Sequence, residues 1–293
     1  MLKITALMDD MPGENPQLLA EHGLSFFAQY GEHRILFDCG QSGAALENAV
    51  ALGLPVEKTE AVVISHSHYD HAQGYRAFAE GGCRAPLYTG RNFFEEKFAR
   101  AGEALRDLSG GFDLGYLGEK GITRRAVSDI TELFPGVYLI GNFPRTHSFE
   151  KIPERFVRKT RDGLIPDDFS DEICMAFRIS GGLAVLVGCS HPGILNMVTH
   201  VRNTLNLPVL AVFGGSHLVE ADEERIQCTL KALEEMGVVR LGLSHCSGEA
   251  IRQGRIALGE SIVYEYRICF VERSLPPSLR EGARRQARRR ECP

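Results

Sequence analysis

The sequence has no apolar run long enough to cross a membrane. Its longest runs, such as Leu183–Val187, fall far short of the roughly 18 residues that a bilayer span requires. The N-terminal residues lack a basic segment followed by an apolar stretch, and Asp9 arrives early, so no signal peptide is expected. The eight cysteines are scattered, with no CxxC pair, which predicts reduced thiols. We therefore expect a soluble, cytoplasmic protein without a membrane partner.

The sequence also lacks nucleotide-binding motifs. It contains no P-loop, and Gly214-Gly215 does not extend into a GxGxxG fingerprint. Basic residues are most concentrated in 273–293, which carries seven Arg against two Glu, whereas the whole chain has a net charge of −5. We interpret 273–293 as a disordered tail rather than an arm for nucleic acid, because a basic run alone is weak support for one. Residues 1–272 then form one domain.

Strand-like and helical segments alternate along the domain. Apolar periodicity predicts helices over 44–52, 91–108 and 220–236, and the runs Cys174–Ile179 and Leu183–Val187 read as a hairpin. This alternation predicts an α/β fold. The polar stretch 142–171, with its Pro and Gly residues, is typical of a lid or binding loop.

Four potential metal ligands follow one apolar strand within six residues. The strand 61–64 leads into His66, His68, Asp70 and His71. Three imidazoles and a carboxylate so close together would be poorly satisfied if simply buried, and a divalent cation resolves the problem. Neutral imidazole and carboxylate suit Zn²⁺, and also Fe or Mn. His66 and His68 point to one side of an extended segment, so Asp70 and His71, after a bend, can face a second ion.

Further candidate ligands follow other strands. Cys189 and His191 come after the run 183–187, and His245 comes after 239–243. Strand ends at one rim of a sheet are where α/β proteins gather ligands. We therefore expect these side chains to meet the cluster at residues 66–71.

Substrate-binding candidates are less specific. His217 follows Gly214-Gly215 and could hydrogen-bond a substrate or donate a proton, with structural and metal-binding roles as alternatives. His22 either lines the mouth of the site or is a turn residue. Six cations lie in the polar stretch, and they either form a solvated face or capture a substrate phosphate or carboxylate: Arg145, Lys151, Arg155, Arg158, Lys159 and Arg161.

The pattern His66-x-His68-x-Asp70-His71 after a strand resembles the HxHxDH motif of the metallo-β-lactamase superfamily. That resemblance implies a four-layer αββα sandwich, with His66 and His68 on one metal and Asp70 and His71 on the other. Asp38, in the turn that follows the run 34–37, is similar to the acid that braces the site in that superfamily. A purely structural turn residue is the alternative for Asp38.

Four later phrases resemble one subgroup, the dihydropterin–ribofuranosylaminobenzene-phosphate synthase-related hydrolases. They are EHGLS at 21–25, GCSHPG at 188–193, FGGSHL at 213–218 and SHCSG at 244–248. The superfamily resemblance implies that His191 completes the first metal site and His245 the second. Cys189 stands where a bridging Asp is usual. Cys189 is then a thiolate ligand or inert, or His191 takes the bridging place and His147 becomes the third ligand of the first metal.

The resemblance implies a metal-dependent hydrolase that uses two divalent ions, zinc first, with iron or manganese as alternatives. Hydroxide generated on the metals would attack a small-molecule ester, phosphodiester, lactone or amide. Asp70 would accept a proton and His217 would contact the leaving group, while Arg145 and Arg158 would favour an anionic or phosphorylated substrate. One alternative is a lyase or transferase that handles a pterin and a phosphorylated aromatic amine. The other is a non-catalytic metal or redox sensor.

Overall fold

The protein, described here as a computed structural model, is built on two large β-sheets. The structure describes residues 1–13, 15–248, 251 and 270–271. The first sheet has seven strands, in the spatial order β17 (Phe270–Val271), β1 (Leu2–Met8), β2 (Ser25–Tyr30), β3 (His33–Phe37), β4 (Ala61–Val63), β5 (Leu87–Gly90) and β8 (Arg124–Val127). The second has six, in the order β16 (Arg240–Leu243), β15 (Val209–Gly214), β14 (Gly182–Val187), β13 (Cys174–Ile179), β10 (Val137–Ile140) and β9 (Ile130–Phe134).

The central strand of the second sheet is β14, which is buried along its whole length. It pairs antiparallel with β13 and parallel with β15. A continuous apolar strand of this kind is typical of a sheet covered on both faces. The turn between β13 and β14 comprises Ser180 and Gly181, and Gly181 has φ +85°. The predicted hairpin is therefore confirmed.

The two large sheets and the helices on their outer faces form four layers, with an apolar cluster between each pair of neighbouring layers. Between the sheets, Phe26 and Phe37 of the first sheet lie in one cluster with Met175 and Leu186 of the second. A second apolar cluster lies under α1 (Ala44–Ala51), α3 (Tyr75–Glu80) and the short helices α2 (Tyr69–Ala72) and α4 (Leu114–Glu119). The third lies under α5 (Ile194–Leu205) and α6 (Glu223–Glu235). The predicted α/β fold, a four-layer αββα sandwich, is confirmed.

The helix predicted over 220–236 is α6. It begins after Asp222, whose side chain accepts a hydrogen bond from the backbone N–H of Arg225, as a helix N-cap does. It ends just before Gly237, which has φ +89°. The helix predicted over 44–52 is α1.

The helix predicted over 91–108 is wrong. Strands β6 (Lys97–Ala101) and β7 (Ala104–Asp107) form a hairpin there, joined at Gly102 with φ +62°. The reason is a distant partner, because β6 also pairs with β11 (Phe156–Thr160), within the polar stretch 142–171. Leu105, one of the apolar residues that a helix over 91–108 would bury, is 44% exposed. Local periodicity could not reveal this pairing.

Strand β11 forms a second hairpin with β12 (Gly163–Pro166). The two hairpins form a small third sheet, in the order β12, β11, β6 and β7. One of its attachments to the body is a buried ion pair. The Lys97 ammonium, which is buried, lies 2.5 Å from Asp171 Oδ1 and 3.0 Å from Asp167 Oδ2. The other Asp171 oxygen accepts a hydrogen bond from the backbone N–H of Ser67, between two of the predicted ligands. The small sheet is thereby tied to the candidate metal-binding turn.

Among the described residues, no helix is long and apolar enough to cross a membrane. The predicted tail at 273–293 lies outside the described residues, so the boundary at residue 272 stays a prediction.

We expect Lys97→Met to destabilise the protein by about 3–5 kcal/mol, because it leaves two buried carboxylates without their counter-charge. The matched control is Lys159→Met, which removes an exposed ion pair with Glu96 and should cost less than about 1 kcal/mol. Urea unfolding measures both. Equal losses in the two variants would contradict a structural role for the buried pair.

Candidate metal centre

The turn that carries the predicted ligands is held by Asp38. This fully buried carboxylate, just past β3, accepts hydrogen bonds from the backbone N–H of Ser65 at 2.7 Å and its hydroxyl at 2.8 Å. It also lies 2.7 Å from His71 Nδ1. That contact places the proton of His71 on Nδ1, so the lone pair of Nε2 faces the centre. Asp38 thus holds Ser65 and His71 in place.

His66, His68 and His191 form the first group of donors. Their ring centroids lie 4.6–5.0 Å apart, and all three residues are buried. Burial lowers the pKa of each of them well below its usual value, so each is neutral. Nε2 of His66 and His68 and both ring nitrogens of His191 lack hydrogen-bond partners among the described residues. Buried imidazole nitrogens are normally satisfied, so each of these neutral rings can offer one lone pair to a cation.

Asp70, His71 and His245 form the second group. Asp70 Oδ2 lies 3.8 Å from His71 Nε2 and 3.2 Å from His245 Nε2. The contact with His245 does not have hydrogen-bond geometry. Two facing acceptor atoms repel unless a proton or a metal ion lies between them. Burial opposes protonation of His245, but Asp10 and Asp70 outweigh it and raise its pKa, so this place attracts positive charge.

Cys189 lies between the two groups. Its Sγ is within 4.8 Å of donor atoms of His66 and His191, and likewise of His71 and His245. The distance from Sγ to His71 Nε2 is 3.1 Å. Burial raises the pKa of the Cys189 thiol well above its usual value. The side chain is therefore a thiol unless a cation is nearby.

The structure does not bring every predicted residue to this centre. His147 Nε2 contacts Thr199 Oγ1 at 3.1 Å, and His147 belongs to none of the converging donor groups found among the described residues. Arg158 is engaged by Glu95 at 2.7 Å. Arg145 instead donates to the backbone carbonyl of Asp168.

His217 and His22 both reach the centre. His217 has φ +48°, its ring centroid lies 4.3 Å from that of His191, and neither ring nitrogen has a partner among the described residues. His22, which is half exposed at the mouth, lies 3.1 Å from Asp70 Oδ2 through Nε2. A hydrogen bond to Asp10 and the contact with Asp70 raise the pKa of His22 to about 9.

Sequence reasoning missed three residues that shape the centre. Asp10 binds His245 Nδ1 at 2.6 Å, and its position just after the apolar strand β1 was the available signal. Phe169 stacks on His191 with ring centroids 3.8 Å apart, and Phe156 contacts both His68 and His191. No local signal pointed to the two phenylalanines, because tertiary pairing alone brings their segment over the histidines.

The comparisons with known proteins agree with this geometry. A family model described as a beta-lactamase superfamily domain matches residues 33–113. The chain is 33% identical over 263 residues to the 7,8-dihydropterin-6-methyl-4-(beta-D-ribofuranosyl)-aminobenzene-5'-phosphate synthase of Methanocaldococcus jannaschii, covering 84% of this chain and 88% of that protein. An uncharacterised protein of the same organism is 26% identical over 239 residues, covering 79% of this chain and 86% of that one.

Among solved structures, a metal-dependent hydrolase of the β-lactamase superfamily, Tm1679, superposes with a TM-score of 0.77. It is 28% identical, and the match covers 90% of this chain and 95% of that one. The chain therefore belongs to the metallo-β-lactamase superfamily. Within that superfamily it belongs with the dihydropterin–ribofuranosylaminobenzene-phosphate synthase-related proteins.

We expect Gly188→Ala to lower stability by about 1–3 kcal/mol, because the new Cβ would collide with the Ser65 hydroxyl that Asp38 holds. The control is Gly118→Ala in α4, where a Cβ meets no atom within 4 Å. That change should be neutral or stabilise by up to about 1 kcal/mol. Thermal unfolding compares the two, and equal effects would contradict the close approach at Gly188.

Proposed function

We propose that this protein is a hydrolase that binds two divalent metal ions and acts on a small-molecule substrate. The observation that carries the proposal is the convergence of buried donor atoms that follow three strands, β4, β14 and β16, of the two sheets. Their chemistry suits zinc first, with iron or manganese as alternatives. His66, His68 and His191 would hold one ion, and Asp70, His71 and His245 the other. Such ions supply Lewis acidity and lower the pKa of bound water.

The protein's own residues would orient the reaction. Asp38 fixes the ring of His71, and Asp10 fixes the ring of His245, so both present Nε2 to the centre. Asp70 would serve both as a ligand and as acceptor of the proton from the attacking water. His217, with both nitrogens free, would contact the leaving group. Phe156 and Phe169 would exclude water from the first group.

The substrate would be anionic. Arg145 lies outside the donor cluster and donates to the backbone carbonyl of Asp168, but among the described residues it has no ion-pair partner, so it would be left to meet an anionic group of the substrate beyond the metal ions. Arg158 is a weaker candidate because Glu95 already neutralises it. His22, at the mouth and beside Asp70, would meet the same substrate. We further propose that the protein acts in the cytoplasm.

A synthase reaction is the second candidate, because the relative that is 33% identical carries that name. The discriminating assay supplies a dihydropterin whose 6-methyl carbon carries a leaving group such as diphosphate, together with ribofuranosylaminobenzene 5'-phosphate, and follows both the coupled product and the released leaving group. Formation of that product, without hydrolysis of simple esters, would favour the synthase.

Hydrolysis is tested on a phosphodiester, a lactone and an aryl ester, together with metal analysis of the purified protein. We expect about two ions per chain and loss of turnover after chelation, restored by added metal. His191→Ala and His245→Ala should lower kcat at least about 100-fold, because each removes a metal ligand. His147→Ala is the control and should retain both metal and turnover. Turnover unaffected by complete removal of metal would overturn the proposal.

Asp38→Asn should weaken metal affinity by about 10–100-fold, because an amide cannot accept from both Ser65 and His71. Competition with a coloured chelator measures this affinity. Asp129→Asn is the control, since Asp129 is exposed and its Oδ1 accepts a hydrogen bond from the side chain of Asn142, outside the donor cluster. Unchanged affinity in Asp38→Asn would mean that Asp38 supports the fold without orienting a ligand.

A further inference from the structure

The Cys189 sulfur has a position that no other donor atom at this centre shares. Among the described residues, it alone belongs both to the group with His66 and His191 and to the group with His71 and His245. Every other member of these two groups serves one side only. An atom within reach of both sides can contact two ions at once.

The backbone around Cys189 is fixed by buried contacts. The Glu172 carboxylate accepts the N–H groups of Ser190 at 2.7 Å and His191 at 2.9 Å. The Gly188 carbonyl accepts the N–H of Gly215 at 2.7 Å, and a Cβ on Gly215 would lie only 3.3 Å from the Cα of Cys189. Cys189 itself is 3% exposed. The backbone therefore fixes the position of the sulfur between the histidines.

Charge balance also favours a sulfur anion at this place. Two divalent ions bring four positive charges into a buried site whose histidines are neutral ligands. Among the six side chains assigned to the two ions, Asp70 is the one carboxylate, so it supplies a single negative charge. A thiolate at Cys189 would supply a second charge directly between the ions.

We propose that Cys189 bridges the two metal ions as a thiolate, an inference that rests on the metal centre of the proposed function. The thiol proton passes to solvent as the two sulfur–metal bonds form, and no oxidant or reductant is needed. Because thiolate is a soft ligand, the bridge favours Zn²⁺, Co²⁺ or Fe²⁺ over Mg²⁺.

Cobalt substitution tests the bridge without relying on activity. Metal-free protein titrated with Co²⁺ should develop a near-ultraviolet sulfur-to-cobalt charge-transfer band that grows through two equivalents. Cys189→Ser should reduce this band to baseline. Cys246→Ser is the matched control: its sulfur is also buried and close to Cys189 and His217, but it lies in neither of the two histidine groups, so the band should persist.

The outcomes separate the bridge from the wider proposal. A band that persists in Cys189→Ser, disappears in Cys246→Ser, or saturates at one equivalent would overturn the bridge. If Cys189→Ser does not fold, Cys189→Asp serves instead and should bind two Co²⁺ without the band. A band with the expected behaviour in a protein that hydrolyses nothing would support the bridge and overturn the hydrolase assignment. Hydrolysis by a protein that shows no band would support the hydrolase assignment and overturn the bridge.

Discussion

The repulsion between converging acceptor atoms is the constraint on which this molecule depends. Six nitrogen or oxygen donors and one sulfur are turned toward one small volume, although facing lone pairs destabilise a protein when nothing lies between them. The fold tolerates this arrangement because its three apolar clusters fix the strand ends that carry the donors. The packing of these clusters stabilises the fold and offsets the repulsion between the converging donor atoms. A bound cation would replace that repulsion with attraction to the same lone pairs.

The carboxylates behind the rim decide which atoms face inward. Asp38 and Asp10 each contact the Nδ1 atom of a histidine, and Glu172 holds the turn that carries Cys189 and His191. Each of these acids lies behind the donors, on the side away from the centre. Their role is to select a tautomer or a backbone position, so that the donors cannot escape their mutual repulsion by rotating away.

Much of the fold and the centre could be predicted from local patterns. The cluster at 66–71 follows a short apolar strand, and the helix α6 carries both a cap and a stop in its own sequence. Such features depend on neighbours along the chain. The hairpin at 97–107 could not be predicted from local patterns, because its pairing partner β11 lies more than fifty residues away in the sequence. The position of Cys189 between two histidine groups is likewise a property of the assembled sheets, which a single phrase such as GCSHPG cannot reveal.

The small third sheet supplies an aromatic side chain beside the centre, whereas the two large sheets carry the candidate metal ligands. The candidate metal ligands belong to the main sandwich, whereas Phe156 and Phe169, which contact His191, come from β11 and from the segment that follows β12. Lys97 links the third sheet through Asp171 to the backbone of Ser67, and the backbone N–H of Tyr69 donates to Leu108 just past β7, so the sheet is joined to the ligand turn at two points. Substitutions confined to this sheet would therefore change the aromatic lining beside the histidines, while the strands that lead into the candidate ligands stay as they are.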